Sequence, residues 1–334
     1  MSIPISQACV VGDGAMGTVC ALLLCEQGVN VTLWGRSADH VDRLCSDREN
    51  KKYLAGFSFP DSLVITHDAS DAFRAAELIV SAVPCQYMRE IWSTLAAHVP
   101  RELPIVSVTK GIENTTLLLP SAIMKACLSD VSTACLSGPC IAVEVAAHKP
   151  ASLVVAADDE AVAQLVQQTF STPHVRVYSS TDHVGVELAG AAKNVIAIAA
   201  GICDGIGAGD NAKAALLTRG LVEIARLGEV FDAHPETFRG LAGVGDLFTT
   251  CVSKVGRNRS AGERIGRGES TAQVLATTTS VIEGIPTTIS IVELAANHGV
   301  EMPIVEAVAS VLFDGESPTA AIERLMTRRL RAEP

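Results

Sequence analysis

Val10-Val11-Gly12-Asp13-Gly14-Ala15-Met16-Gly17 decides how the N-terminal half of this chain is read. It contains Gly-x-Gly-x-x-Gly, preceded by the apolar run 8–11 and followed by a helical pattern over 14–27, with Gly28 placed to cap its end. Strand, glycine turn and helix, in that order, are the setting in which this motif holds the pyrophosphate of a dinucleotide. Gly12 permits the tight turn, Gly14 lets the backbone approach an anion without a Cβ in the way, and Gly17 permits close helix–sheet packing. The start of the helix then offers unpaired N–H groups to the anion.

Working outward, apolar runs recur at 29–33, 63–66, 78–83, 105–108, 134–137, 152–156 and 175–178, alternating with helical stretches. The runs are continuous rather than alternating, which suits strands covered on both faces. The expected fold is therefore α/β, with an N-terminal doubly wound sheet over residues 1–181. Beyond residue 182 no convincing strand remains, and helices are predicted at 182–204, 211–231, 235–240, 258–268, 271–276, 286–298, 302–312 and 318–325, an all-α domain running to residue 334. Glycine clusters at 205–209 and 243–245 separate some of these helices.

Charge narrows the partners. With 26 Lys and Arg against 37 Asp and Glu, the formal net charge is −11, so general nucleic-acid and anionic-membrane binding are excluded, and an anionic ligand needs a local cluster of donors. The ten cysteines include no C-x-x-C pair and no Cys/His zinc spacing, so no metal site is read from them; they are expected as reduced thiols in a cytoplasmic protein. Residues 1–7 carry no Lys or Arg, so no signal peptide is expected. The longest apolar stretch, 184–203, is interrupted by Glu187, Lys193 and Asn194, which argues for a buried helix and against membrane insertion.

Lys193 is the most informative single residue. Its helix is apolar on nearly every face, and a buried amine is costly unless paired, but one so placed is suited to exchanging a proton with an alcohol oxygen. The alternative is a lysine that snorkels to the surface. Asn194 beside it is a hydrogen-bonding or a structural residue. In Gly243-Val244-Gly245-Asp246-Leu247-Phe248-Thr249-Thr250, Asp246 and Thr250 share a face if the segment is helical. Asp246 then orients the Lys193 ammonium, holds a substrate hydroxyl, or simply caps a helix.

The segment 254–267 carries five basic residues and one acid, the local cluster the charge argument demands. Arg257 can bind phosphate through two N–H groups and Asn258 adds a donor, unless the segment is a solvated turn. Arg36, at the end of the second strand, where an acid commonly meets the ribose hydroxyls, can stack on adenine or meet a 2′-phosphate, or lie free in solvent. NADPH is expected to be accepted well, alongside NADH. Lys110 and the Ser137-Gly138-Pro139-Cys140 segment follow strands at the edge of the sheet where such folds bind ligands.

Taken together, Gly12–Gly17, 109–113, 138–142, 190–197 with its Ala192-Lys193-Asn194, 205–211, 219–223, 243–251 and Arg257-Asn258 resemble the bacterial-type NAD(P)-dependent glycerol-3-phosphate dehydrogenases, over essentially the whole chain. The resemblance implies a Rossmann domain followed by a helical domain, a homodimer, and interconversion of dihydroxyacetone phosphate and sn-glycerol 3-phosphate for glycerophospholipid synthesis. It implies Lys193 as proton donor and acceptor, with Asp246 in the catalytic group. Ala15, Met16, Arg36, Lys110, Ala142, Arg257, Val281 and Glu283 are then nucleotide contacts. Lys110, Gly138, Cys140, Asn194, Asp246, Thr250, Gly256, Arg257 and Asn258 are then substrate contacts. Two positions depart from the family pattern: Cys140 and Gly256 stand where serine is common, each removing a hydroxyl donor. The rival readings are a ketopantoate-type or hydroxyacid reductase and a dinucleotide sensor without catalysis. The basic cluster favours a phosphorylated substrate, and a sensor needs no buried proton shuttle.

Overall fold

The structure, a computed structural model, describes residues 5–330. Most of the N-terminal stretch 1–7, read above for a leader, lies outside the described residues, as do residues 331–334. The chain divides into two units. One holds the residues up to Gly111 together with Leu118–Glu187, and the other holds Ile112–Leu117 and the chain from Leu188 onward.

The first unit is an eight-stranded sheet. In chain order its strands are β1 (Gln7–Val11), β2 (Asn30–Trp34), β3 (Val64–Thr66), β4 (Leu78–Ser81), β5 (Pro104–Ser107), β6 (Ser132–Ser137), β7 (Ala151–Ala157) and β8 (Val175–Ser180). Their spatial order is β3-β2-β1-β4-β5-β6-β7-β8. Every neighbouring pair is parallel except β6 and β7. The apolar runs do not reveal that reversal, because a strand buried on both faces reads the same in either direction.

The pleat explains the continuous apolar runs. In β1, Ala8 and Val10 join a core with Val19, Leu24 and Phe170, while Cys9 and Val11 join another with Phe73, Met88 and Trp92. Alternate residues of one strand thus feed two cores, one on each face. Strand order reverses at β1, which lies between β2 and β4, so the carboxyl ends of β1 and β4 form a topological switch point. Gly12 sits there. At φ +114° it takes a conformation open to glycine, and a Cβ on it would lie 2.7 Å from the Ala82 carbonyl oxygen that follows β4.

Among the described residues, every regular element of the second unit is helical. The long helix His183–Ile206 begins just before the division and is long and apolar enough to cross a membrane, but its most apolar window is wholly buried in the protein. It crosses the helix Arg257–Gly266 at very close range. A Cβ on Gly201 would stand 2.0 Å from the Arg259 carbonyl oxygen, and one on Gly262 would stand 2.0 Å from that of Ile198. Gly205 and Gly266 are equally constrained, by the Glu263 and Ile202 carbonyl oxygens at 2.3 and 2.5 Å. Each helix therefore presents two glycines four residues apart, and the backbones touch. The segment expected as a glycine linker at 243–245 instead belongs to a π-helical turn, Leu241–Gly245, which runs straight into the helix Asp246–Val252.

Candidate active site

The glycine turn is a finished structure. Gly17 is required by packing, since its Cβ would lie 1.8 Å from the Gly12 carbonyl oxygen. Gly14 is different: its φ is −74°, and a Cβ there would meet nothing within 4 Å. No protein contact demands glycine at that position, and the free approach to its backbone fits a dinucleotide pyrophosphate at the start of the helix Ala15–Glu26. Ala15 and Met16 form the first turn of that helix.

Asn50, Thr18 and His40, which sequence reasoning missed, surround the turn. Asn50 is buried and donates to the Asp13 carbonyl (2.9 Å) and to Thr18 Oγ1 (2.8 Å). His40 lies 3.8 Å from Asp13. Burial pushes the Asp13 carboxyl up and the His40 imidazole down, while the pair partly offset each other. No local signal marks Asn50, which comes to the turn from far along the chain.

Arg36 follows β2 and is largely exposed, its guanidinium 3.5 Å from Glu90. Further along the sheet edge, Thr109 Oγ1 donates to the Val83 carbonyl (2.6 Å), fixing the segment after β5 beside the segment after β4. Lys110 Nζ donates to the Gly138 carbonyl (3.1 Å) and lies 3.7 Å from Cys140 Sγ. Lys110, Gly138 and Cys140 are therefore one group, with Ala142 opening the short helix Ala142–Ala146 just beyond.

In the helical unit, Lys193 is 6% exposed and Asp246 2% exposed. Lys193 Nζ donates to Thr250 Oγ1 at 2.5 Å and lies 3.0 Å from Asp246 Oδ1, while the Thr250 hydroxyl donates to that same Oδ1 at 3.3 Å. Lys193 does not snorkel to solvent. Nor does Asp246 cap its helix; it is the first helical residue, and its carboxylate is spent on Lys193. Cys251, next to Thr250, is inert as a thiolate, because burial pushes its thiol up to about 12.

One helical turn from the close glycine crossing, Asn258 Nδ2 donates to Asn194 Oδ1 (2.8 Å), and Asn258 Oδ1 accepts from the Gly284 backbone (2.9 Å). Arg257 is exposed and donates to the Val281 carbonyl (2.9 Å). Val281 and Glu283, at the start of the helix Gly284–His298, are thereby drawn to the Arg257-Asn258 pair. Gly256 is the N-cap of the Arg257–Gly266 helix and supplies no side-chain cap.

The basic cluster is smaller than its composition suggests. Arg259 is buried against Asp204 and Glu263, Arg264 pairs with Glu269, and Arg267 pairs with Glu263. Only Lys254 and Arg257 of the five basic side chains stay exposed without an acidic partner among the described ion pairs.

Comparison with known proteins shows the family. Residues 7–163 match the family model of the NAD-dependent glycerol-3-phosphate dehydrogenase N-terminus, and residues 182–323 match that of its C-terminus. A glycerol-3-phosphate dehydrogenase [NAD(P)+] of Salinibacter ruber is 45% identical over 325 residues, covering 96% of this chain and 95% of the relative. One of Citrifermentans bemidjiense is 45% identical over 327 residues, 97% of this chain and 98% of the relative. Among solved structures, the glycerol-3-phosphate dehydrogenase of Coxiella burnetii superposes with a TM-score of 0.94 at 34% identity, over 97% of this chain and 99% of that one. A ketopantoate reductase of Ralstonia eutropha, at 16% identity and a TM-score of 0.60 over 96% and 99% of the two chains, shares the fold alone.

Proposed function

Because this chain belongs to the family of NAD-dependent glycerol-3-phosphate dehydrogenases and so reduces dihydroxyacetone phosphate reversibly to sn-glycerol 3-phosphate with NAD or NADP, we propose that Lys193 is its proton donor and acceptor and that Arg257 and Asn258 hold the substrate phosphate. The observation that carries this reading is the buried Lys193 ammonium fixed by Asp246 and Thr250.

When bound, the reduced nicotinamide supplies a hydride to C2 of the ketone. Lys193 gives its proton to the C2 oxygen, so the carbonyl becomes an alcohol and the amine is left neutral. Asp246 and Thr250 favour its recharging from water. In the reverse direction the neutral amine takes the alcohol proton. The ammonium also stabilises charge developing on oxygen, a contribution that is large in a site with little water. Arg257 has N–H groups beyond the one given to Val281, and the Asn258 amide has a second hydrogen beyond the one given to Asn194. Lys110, Gly138 and Cys140 add substrate contacts from the sheet edge, where backbone N–H groups stand in for the hydroxyls that Cys140 and Gly256 lack. Residues 1–181 carry the cofactor, with Gly12, Gly14, Ala15, Met16, Gly17, Arg36 and Ala142 as contacts, and residues 182–334 carry the proton donor and phosphate clamp. The reading includes a homodimer and a reducing, cytoplasmic setting, which the ten free cysteines support. The product is a precursor for glycerophospholipid synthesis.

Lys193→Ala tests the central assignment. Turnover, followed as NADPH consumption with dihydroxyacetone phosphate, should fall by about two to four orders of magnitude, while NADPH affinity, read by fluorescence titration, stays unchanged. Turnover within a few-fold of the parent would remove Lys193 from the role.

A further inference from the structure

Outside the groups described above, the first unit contains a cluster that the dehydrogenase chemistry does not use. Glu26 ends the helix Ala15–Glu26, His148 follows the helix Ala142–Ala146, and His174 immediately precedes β8. The fold brings them together: the two helices pack, and the Ala151 N–H donates to the His174 carbonyl (2.9 Å), fixing the starts of β7 and β8 side by side. The two imidazoles stack with centroids 4.3 Å apart and planes inclined by 22°. Nε2 of each lies 3.6 Å from the same carboxylate oxygen, Glu26 Oε2, and the three donor atoms all fall within 4.8 Å of one another.

Those distances are informative. At 3.6 Å neither imidazole is hydrogen-bonded to the carboxylate. The His174 side chain is nine-tenths buried, and its Nε2 is buried without a hydrogen-bond partner, an arrangement that burial normally forbids. A cation bound by ligands at about 2.0–2.1 Å in tetrahedral geometry holds its donor atoms roughly 3.4 Å apart. The two measured Nε2–carboxylate separations are close to that edge, and an ion enters once the stacked rings turn so that both Nε2 lone pairs converge on it. Two imidazole nitrogens and one carboxylate oxygen suit a d-block divalent ion and disfavour Mg²⁺ and Ca²⁺, which take oxygen ligands. The location adds to this, since Glu26 ends its helix where the backbone dipole is negative. His148 is open to solvent, leaving room for water as the remaining ligand.

We propose that Glu26, His148 and His174 form a binding site for a divalent transition-metal ion of the zinc class, tying the far end of the glycine-turn helix to the β7–β8 side of the sheet. The ten cysteines are the competing ligands, so the test separates nitrogen from thiolate. The full-length protein is titrated with Co²⁺ and, separately, Zn²⁺ in the presence of excess Mg²⁺, alongside Glu26→Gln, His148→Ala and His174→Ala. The expected result is one equivalent bound by the parent, with no thiolate charge-transfer band in the Co²⁺ spectrum. Each variant should bind at least tenfold more weakly, and Zn²⁺ should raise the melting temperature of the parent only. Turnover of the metal-free variants should match the parent, showing that they fold. Binding that persists unchanged in the variants, binding that shows the thiolate band, or no saturable binding by the parent would each overturn the proposal.

Discussion

Gly262→Ala is the most exacting perturbation of the helical unit. The added methyl would lie 2.0 Å from the Ile198 carbonyl oxygen, where ordinary van der Waals contact begins at 3.4 Å. The obstacle is backbone, so no rotamer change relieves it, and the two helices must part locally by more than about 1 Å. Overpacking of this kind costs about 1–3 kcal/mol, here at the upper end because rigid elements must move. The functional effect follows from position. Asn194 and Asn258 stand one turn from Ile198 and Gly262 on their helices, and their 2.8 Å bond does not survive a displacement of that size. Arg257, next in sequence, moves with it relative to Lys193. Misplacement of about 1 Å costs on the order of a hundredfold in rate. The assay is kcat/KM for dihydroxyacetone phosphate together with the urea midpoint, with NADPH affinity as the control. A variant that melts like the parent, with kcat/KM within twofold, would refute the claim that this crossing positions the clamp.

The remaining predictions concern other parts of the molecule. Gly14→Ala should leave stability unchanged, because its methyl meets nothing within 4 Å, yet weaken NADPH binding at least tenfold; equal affinity in a fluorescence titration would show that the pyrophosphate does not approach there. Arg36→Asp should lower the ratio of NADPH to NADH kcat/KM, and an unchanged ratio would leave Arg36 as a surface partner of Glu90. Glu223 accepts backbone N–H groups of Ile304 and Val305, but burial outweighs these bonds and raises its carboxyl from 4.5 to about 7. The native state therefore holds this proton more tightly than the unfolded chain. Its contribution is full below pH 4.5 and is lost as pH rises towards 7, on the order of 3 kcal/mol. Glu223→Gln should flatten that share of the stability profile in urea titrations at pH 5 and 7.5; an unaltered slope would contradict it.

What the sequence disclosed tracks how local each determinant is. The glycine turn was legible because strand, turn and helix are contiguous, and the central strands were legible because burial on both faces leaves an almost unbroken apolar run. Lys193 stood out because its neighbours are apolar around the whole helix, and Asp246 and Thr250 because a four-residue spacing puts them on one face. The basic segment reads as more basic than it is for the opposite reason: Asp204 and Glu269, which neutralise Arg259 and Arg264, lie outside it. The reversed β7, the grouping of Ile112–Leu117 with the helical unit through Ser290, and the tether from Asn50 all depend on contacts between distant positions. The Glu26, His148 and His174 cluster was hidden in the same way, since spacing rules find ligands only where they are close in sequence.

The tether from Asn50 has a consequence for how affinity is partitioned. Its amide group grips the turn through two hydrogen bonds, and its own carbonyl oxygen accepts from the Tyr53 backbone, so the loop and the turn are rigid as one piece. The ordering cost of the nucleotide cradle is thus met during folding, before any nucleotide arrives. Damage to that loop, at a distance from any reacting atom, should surface as looser nucleotide retention with the chemical step intact.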